Sequence, residues 1–221
     1  DAAQRNRAYV NFQLGHHREA QARLEQASAM FAEMDDATGM AWCSNHLGDI
    51  ALELGDIAEA RRLYEAGADI FRKTDNRWGL ARSACDLGHL ACEEANYDSA
   101  RAFFRSALTV FRELEHKRGL ALAFEGLARL AREEAEPARA LTLAGAAAAL
   151  RRASGAVVRS EDDRKLERTR DRAFAQGDPA FSNQAWTKGW HMPTDEALQY
   201  ALMSSQGRMA PGSVRDRLAD V

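Results

Sequence analysis

The sequence predicts an all-α protein, a solenoid of helix pairs repeating every 40 residues and closed by a C-terminal helical cap. Three observations predict it. Shifting the chain by forty aligns Ala41, Ala81 and Ala121, then Leu47, Leu87 and Leu127, then Ala51, Ala91 and Ala131. Within a unit, apolar positions 41, 44, 47, 48 and 51, and again 60, 63, 64, 67, 70 and 71, fall at helical spacing. Turn residues punctuate the pattern at the same register each time.

Residues 1–155 divide into about four units, 1–40, 41–80, 81–120 and 121–155. Asp1–Leu14 is the first helix of unit one, although Arg7 and Asn11 stand where later units carry Leu and Ala. The chain enters inside the pattern at Asp1, as an excised segment would. Inside each unit, Gly55-Asp56 separates the helices, with Asp56 as N-cap and Glu59 three residues on, a capping-box spacing. Asn96 repeats the cap. Pro137 occupies a first helical position, where its missing N–H and fixed φ cost nothing. The second helix carries Ala20, Ala60, Ala100 and Ala140, then Ala27, Gly67, Ala107 and Ala147, then Phe31, Phe71 and Phe111. Small residues at Gly48, Gly88 and Ala128 let helices approach, the phenylalanines fill the space between pairs, and Gly39, Gly79 and Gly119 close the units. A single pair cannot bury its apolar face, so stability comes from stacking.

After Ser154-Gly155 the register ends, and residues 156–203 are expected to cap the last unit. Ser160 with Glu161-Asp162-Asp163 starts a helix whose stripe is Leu166, Ala173 and Phe174. Gly177-Asp178-Pro179 restarts the chain, and Phe181, Ala185, Trp186 and Trp190 offer the large apolar surfaces of the cap. Thr194 caps a last helix bearing Ala197, Leu198, Ala201 and Leu202. Residues 204–221 read as a polar tail, with a helical turn at Ser213–Leu218.

With 46% apolar and 29% charged residues in 221, the composition is that of a helical globular protein. A net charge of −3 without a Lys/Arg block gives nucleic acid or an anionic membrane little reason to bind. No apolar run reaches membrane-spanning length and no signal peptide opens the chain, so a cytoplasmic location is expected. Three cysteines, Cys43, Cys85 and Cys92, with no Cys-x-x-Cys pair, fit a reducing compartment and small buried roles.

No Walker A loop, Gly-x-Ser-x-Gly elbow, His-Glu-x-x-His or Gly-x-Gly-x-x-Gly occurs, so no enzyme, metal or cofactor is expected. Cys85, His89 and Cys92 lie at i, i+4 and i+7, with His46 as a fourth zinc ligand to consider. Helical spacing is unusual for a structural site, and packing of the cysteines with His89 facing solvent is the simpler reading. Asp49, Asp86 and Glu125 share a helical phase but lack a nucleophile or oxyanion donor, which favours a solvated face over catalysis. His16-His17 falls at an exposed turn. Trp78 serves equally as a surface anchor or as cover for the joint between units.

Leu-Gly in the first helix, followed by Ala60, Tyr64 and Gly67 in the second, resembles the tetratricopeptide repeat. Ser44, Ala51 and Arg72 depart from the aromatic, Tyr and Pro of the shorter family standard, and the pattern is closer to the long repeats of bacterial regulators. The resemblance implies a right-handed superhelical solenoid of tetratricopeptide-like helix pairs whose first helices line a concave face. That face would present Trp42, Asn45, His46 and Asp49, then Arg82, Asp86 and His89, then Glu125 and Arg129. The mixed charge suits a polar or mixed-charge peptide, and replacing Asn45, Arg82 and Arg129 by Ala is expected to leave stability nearly intact. The order of Ala121–Leu202, including "FSNQAWTKGW" and "TDEALQYAL", is also similar to the C-terminal arms of large bacterial signal-transduction ATPases and transcriptional activators of the maltose-regulator and antibiotic-regulator kinds. This implies a non-catalytic interaction or sensor arm whose partner is a protein, a peptide or another domain of its parent. A free-standing peptide-binding scaffold or adaptor is the alternative.

Overall fold

The computed structural model describes Arg5, Phe12 and residues 16–155, 161–175 and 178–203, with side chains from Leu166 onward in the second segment. The expected helix at Asp1–Leu14, the helix start at Ser160 and the tail at 204–221 lie outside or almost outside these residues. Ten helices and no strand make up the described chain. They are α1 (His17–Glu33), α2 (Ala37–Glu53), α3 (Ile57–Lys73), α4 (Arg77–Glu93), α5 (Tyr97–Glu113), α6 (Lys117–Glu133), α7 (Pro137–Ala153), α8 (Glu161–Ala175), α9 (Pro179–His191) and α10 (Thr194–Leu202).

Helices α1 to α7 are each 17 residues long, so every repeat of twenty leaves three residues to turn the chain. One device makes all these turns. The residue after each C-cap takes a left-handed conformation, at Asp35, Gly55, Asp75, Ala95, Glu115, Ala135 and Gly155. After the first six of these the next N–H reaches back to a carbonyl in the helix's last turn, as in Asn76 N–H to Phe71 O at 2.8 Å and Asn96 N–H to Ala91 O at 2.8 Å. This is a Schellman ending. The same residue begins the following helix: the Asp56 side chain accepts from Glu59 N–H, Asn76 from Gly79 N–H, and Asn96 from Ser99 N–H. Side-chain caps of this type are worth about 1 kcal/mol each. Glu136 makes no such bond, and Pro137 at the first turn removes one of the donors that would need it.

Among the repeat helices, packing is closest for α2 with α3, α4 with α5, and α6 with α7. Gly39, Gly79 and Gly119 therefore do not close units; they sit in the first turns of α2, α4 and α6. Their role is long-range. A Cβ on Gly79 would stand 2.4 Å from the Phe71 ring, and one on Gly119 would meet Phe111 in the same way. Each ring lies on the bare backbone of the helix that opens the next pair. The first helices also touch one another, α2 with α4 and α4 with α6, which places them along the inner side of the stack.

The amphipathic α3 and α5 bury one stripe each, including Tyr64, Phe71, Phe104 and Phe111. Helix α7 holds the same register but is buried from Ala140 through Ala147, because α6, α8, α9 and α10 all pack on it. The seam with α9 is not made by the large aromatic residues expected there. Ser182, Ala185 and Gly189 are the buried positions, Trp186 and Trp190 are half-buried, and Phe181 is exposed. A Cβ on Gly189 would lie 1.9 Å from Thr142 O, and one on Gly145 would lie 2.4 Å from Trp186 O, so the two backbones nearly touch. Arg170 and Arg152 cover the Trp186 and Trp190 rings at 5.7 and 5.9 Å.

Helix α10 seats Ala197, Leu198 and Ala201, while Leu202 is partly exposed. Pro193, not Thr194, occupies its N-cap, with no side-chain cap bond. Its C-terminal carbonyls are met by arginines: Arg105 donates to Leu202 O at 2.6 Å and Arg139 to Met203 O at 2.8 Å. Cationic groups at that end also answer the helix dipole.

Candidate functional site

The inner side of the stack forms a cavity of ≈ 460 Å³ bounded by α2, α4, α6 and α8. Of the residues expected on the concave face, Asp49, Arg82, Asp86, His89, Glu125 and Arg129 line it. Trp42, Asn45 and His46 do not. The Trp42 ring lies between Phe71 and Trp78, with centroids 4.7 and 4.8 Å away, and so covers a joint. Trp78 in turn meets Phe111 and directs its indole N–H to His116 Nδ1 at 3.2 Å. His46 Nδ1 stands 3.5 Å from Asp49 Oδ2.

Asn45 is the clearest departure from the expected solvated face. It is 2% exposed, and Asp86 only 4%. Asn45 Nδ2 donates to Ser83 Oγ at 2.9 Å and to Asp86 Oδ2 at 3.1 Å, tying α2 to α4. Arg82 Nε donates to Asp86 Oδ1 at 3.0 Å, and Tyr64 O–H donates to Asp49 Oδ1 at 2.9 Å. Arg82 Nη2 also lies 4.0 Å from Asp49 Oδ2, so these buried and half-buried groups form one polar network. Replacing Asn45, Arg82 and Arg129 together would therefore cost stability, contrary to the expectation from helical phase. Breaking a buried ion pair alone costs about 3–5 kcal/mol.

Several other charges of the cavity are paired within the protein. Arg129 pairs with Glu93 at 2.6 Å, Arg132 with Glu133, and Arg151, itself buried, with Glu125 from behind the wall. His89 is half-buried rather than solvent-facing, with its ring edge-on to Phe104 at 5.1 Å. Desolvation, with Asp49 and Asp86 nearby, pushes the Tyr64 phenol well above its ordinary range. Burial likewise pushes the Cys43 and Cys92 thiols up to about 11, and the Cys85 thiol further. Buried in this way, the thiols are protonated apolar side chains at neutral pH. Among the described residues, no group of three or more His, Cys, Asp or Glu is arranged to hold a metal ion.

Residues that sequence reasoning missed are Tyr64, Ser83 and Arg151, and the α8 side chains Leu166, Arg168, Thr169 and Arg172 that form the cavity's last wall. A signal for Ser83 existed. Its register partners are Cys43 and Ala123, so one polar residue stands in an otherwise apolar column. The α8 residues lie beyond the repeat, where no register points to the groove.

Fold and groove together define a tetratricopeptide-like helical-repeat scaffold. Residues 1–73 match the family model described as "Tetratricopeptide repeat". No curated protein matches the chain in sequence. Among solved structures it is similar to BtubC (BKLC) from P. vanneervenii, with a TM-score of 0.58 at 18% identity over 87% of this chain and 76% of that one. It is also similar to the nearly identical TPR-like repeats of a Podosopora anserina protein described as a kinesin light chain. There the TM-score is 0.54 at 17% identity, over 90% of this chain and 92% of that one. At such identities the likeness concerns the fold. No helix among the described residues is long and apolar enough to cross a membrane.

Proposed function

We propose that the chain is a non-catalytic interaction or sensor arm of a bacterial regulatory ATPase or transcriptional regulator, and that its inner groove receives a protein or peptide segment. The observation that carries this reading is the groove itself, a concave polar surface set on three mutually braced first helices. Solenoid repeats use such surfaces for extended partners. The order of helices in Ala121–Leu202 supports the regulator arm over an adaptor, and the reading frame preceding Asp1 separates the two: an encoded phosphate-binding loop belongs only to the regulator.

Fluorescence polarisation of the chain against arrayed peptides of graded charge tests the groove. Saturable binding is expected, and Arg129→Glu, which disturbs a partly exposed pair, should weaken it about tenfold with little loss of stability. If no peptide binds, or if the variant binds them all unchanged, the groove is not the partner site. Purified chain should also give no heat on titration with ATP; a micromolar isotherm would place a nucleotide site in a segment read here as scaffold.

A further inference from the structure

The repeats leave the groove acidic, and the chain's own α8 supplies the missing positive charge. From α2, α4 and α6 the lining takes six acids, Asp49, Glu53, Asp86, Glu93, Glu125 and Glu133, against three arginines, Arg82, Arg129 and Arg132. Arg151, which pairs with Glu125 from behind, raises the arginines to four. The excess is two acids. Helix α8 brings two arginines to the same cavity, Arg168 and Arg172, one turn apart.

Its seating is slight compared with that of any repeat helix. Leu166, Thr169 and Ala173 are buried at i, i+3 and i+7, and Phe174 is half-buried beside them, against α6, α7 and α9. Arg168 and Arg172 are exposed and line the groove, while Glu167 and Asp171 are exposed outside its lining. A helix anchored by one leucine, one half-buried phenylalanine and two small residues loses less on release than α6 or α7, whose faces are buried nearly all round. Elements of low local stability are the ones that open first.

The geometry points to α8 as an internal ligand: the groove is a receptor for an amphipathic helix that turns two arginines toward it, and α8 holds that place until a partner helix of the same chemistry displaces it. The partner has a narrow stripe like that of Leu166, Thr169, Ala173 and Phe174, and arginine or lysine one turn apart beside it. This rests on the reading of the groove as a partner site and adds its occupant and its regulation. Such binding lays an apolar stripe into a groove and reads the flanking charges.

The test uses the full chain and a labelled peptide of residues 161–175. The unsubstituted chain, its groove occupied, should bind the peptide weakly. Leu166→Asp with Ala173→Asp, which unseats α8, should bind it saturably and at least about tenfold more tightly. A peptide carrying Arg168→Glu and Arg172→Glu should lose about tenfold, and salt should weaken the parent peptide. Failure of the folded double variant to bind the peptide overturns the inference. Hydrogen exchange on the unsubstituted chain decides independently of whether that variant folds. Amides of α8 should exchange before those of α4 to α7, and exchange as one unit with α6 and α7 would make α8 a fixed wall. If arrayed peptides bind through Arg129 while the 161–175 peptide does not, the groove remains a partner site and α8 is not its ligand.

Discussion

At the joint between the α2/α3 pair and the α4/α5 pair, Asn45, Asp49 and Tyr64 meet Ser83, Arg82 and Asp86 in a hydrogen-bonded network. Forty residues on, at the joint between α4/α5 and α6/α7, the same positions hold Cys85, His89, Phe104, Ala123, Leu122 and Gly126. There Phe104 is fully buried on the glycine that replaces Asp86; a Cβ on Gly126 would lie 2.2 Å from its ring. One backbone geometry thus carries two kinds of joint. The first is held by directional bonds, which tolerate few partners and fix which pair stacks next; the second is held by apolar area, which is stronger and less particular.

The largest effect should come from emptying the apolar joint. Phe104→Ala is expected to cost about 3–5 kcal/mol in denaturant unfolding, because the ring is fully enclosed and its neighbours collapse only partly. Asp86→Ala, at the polar joint, should cost about 3 kcal/mol, since it leaves Arg82 and the buried Asn45 amide short of an acceptor. A loss below 1 kcal/mol there would show that the network is not what braces α2 on α4.

Tyr64→Phe makes the first joint resemble the second at one atom, and should cost about 1 kcal/mol near neutral pH. Its pH dependence has a definite sign. The folded phenol titrates above its unfolded value, so the protonated form stabilises the fold fully below about pH 10 and this contribution falls away as pH rises further. The phenylalanine variant should therefore lose less stability than the parent between neutral and strongly alkaline pH; equal losses would put the alkaline sensitivity elsewhere. The smallest change belongs to neither joint. Ala95→Gly relieves a left-handed alanine, φ 54°, and should stabilise by about 0.5 kcal/mol once the greater freedom of unfolded glycine is offset.

Helix spacing was legible in the sequence because it depends on local pattern: Asp56, Asn96 and Pro137 stand where their capping chemistry requires. The glycine column was misread for a physical reason. Gly79 looks like a helix terminator, yet it is glycine because a ring from the preceding helix rests on it, and a contact with Phe71 is not a local property. Asn45 and Asp86 read as solvated in the sequence but are buried, since helical phase gives a direction and not the polar partner waiting there. At the cover, Trp186 and Trp190 stand out by size, whereas the close approach in the seam depends on Gly189 meeting the Thr142 backbone and Gly145 the Trp186 backbone.

The three-residue turn restricts how the chain can change in length. One residue ends a helix by its N–H and begins the next by its side chain, as Asn76 and Asn96 do, so the connection has no slack. An added residue must enter a helix, where it turns everything downstream by about 100° and carries the inner face to the outside. Where many proteins accept insertions at their loops, this one admits length only in whole measures. Forty residues can be gained or lost together, keeping Phe71 on Gly79 and Phe111 on Gly119, and any smaller number falls out of step.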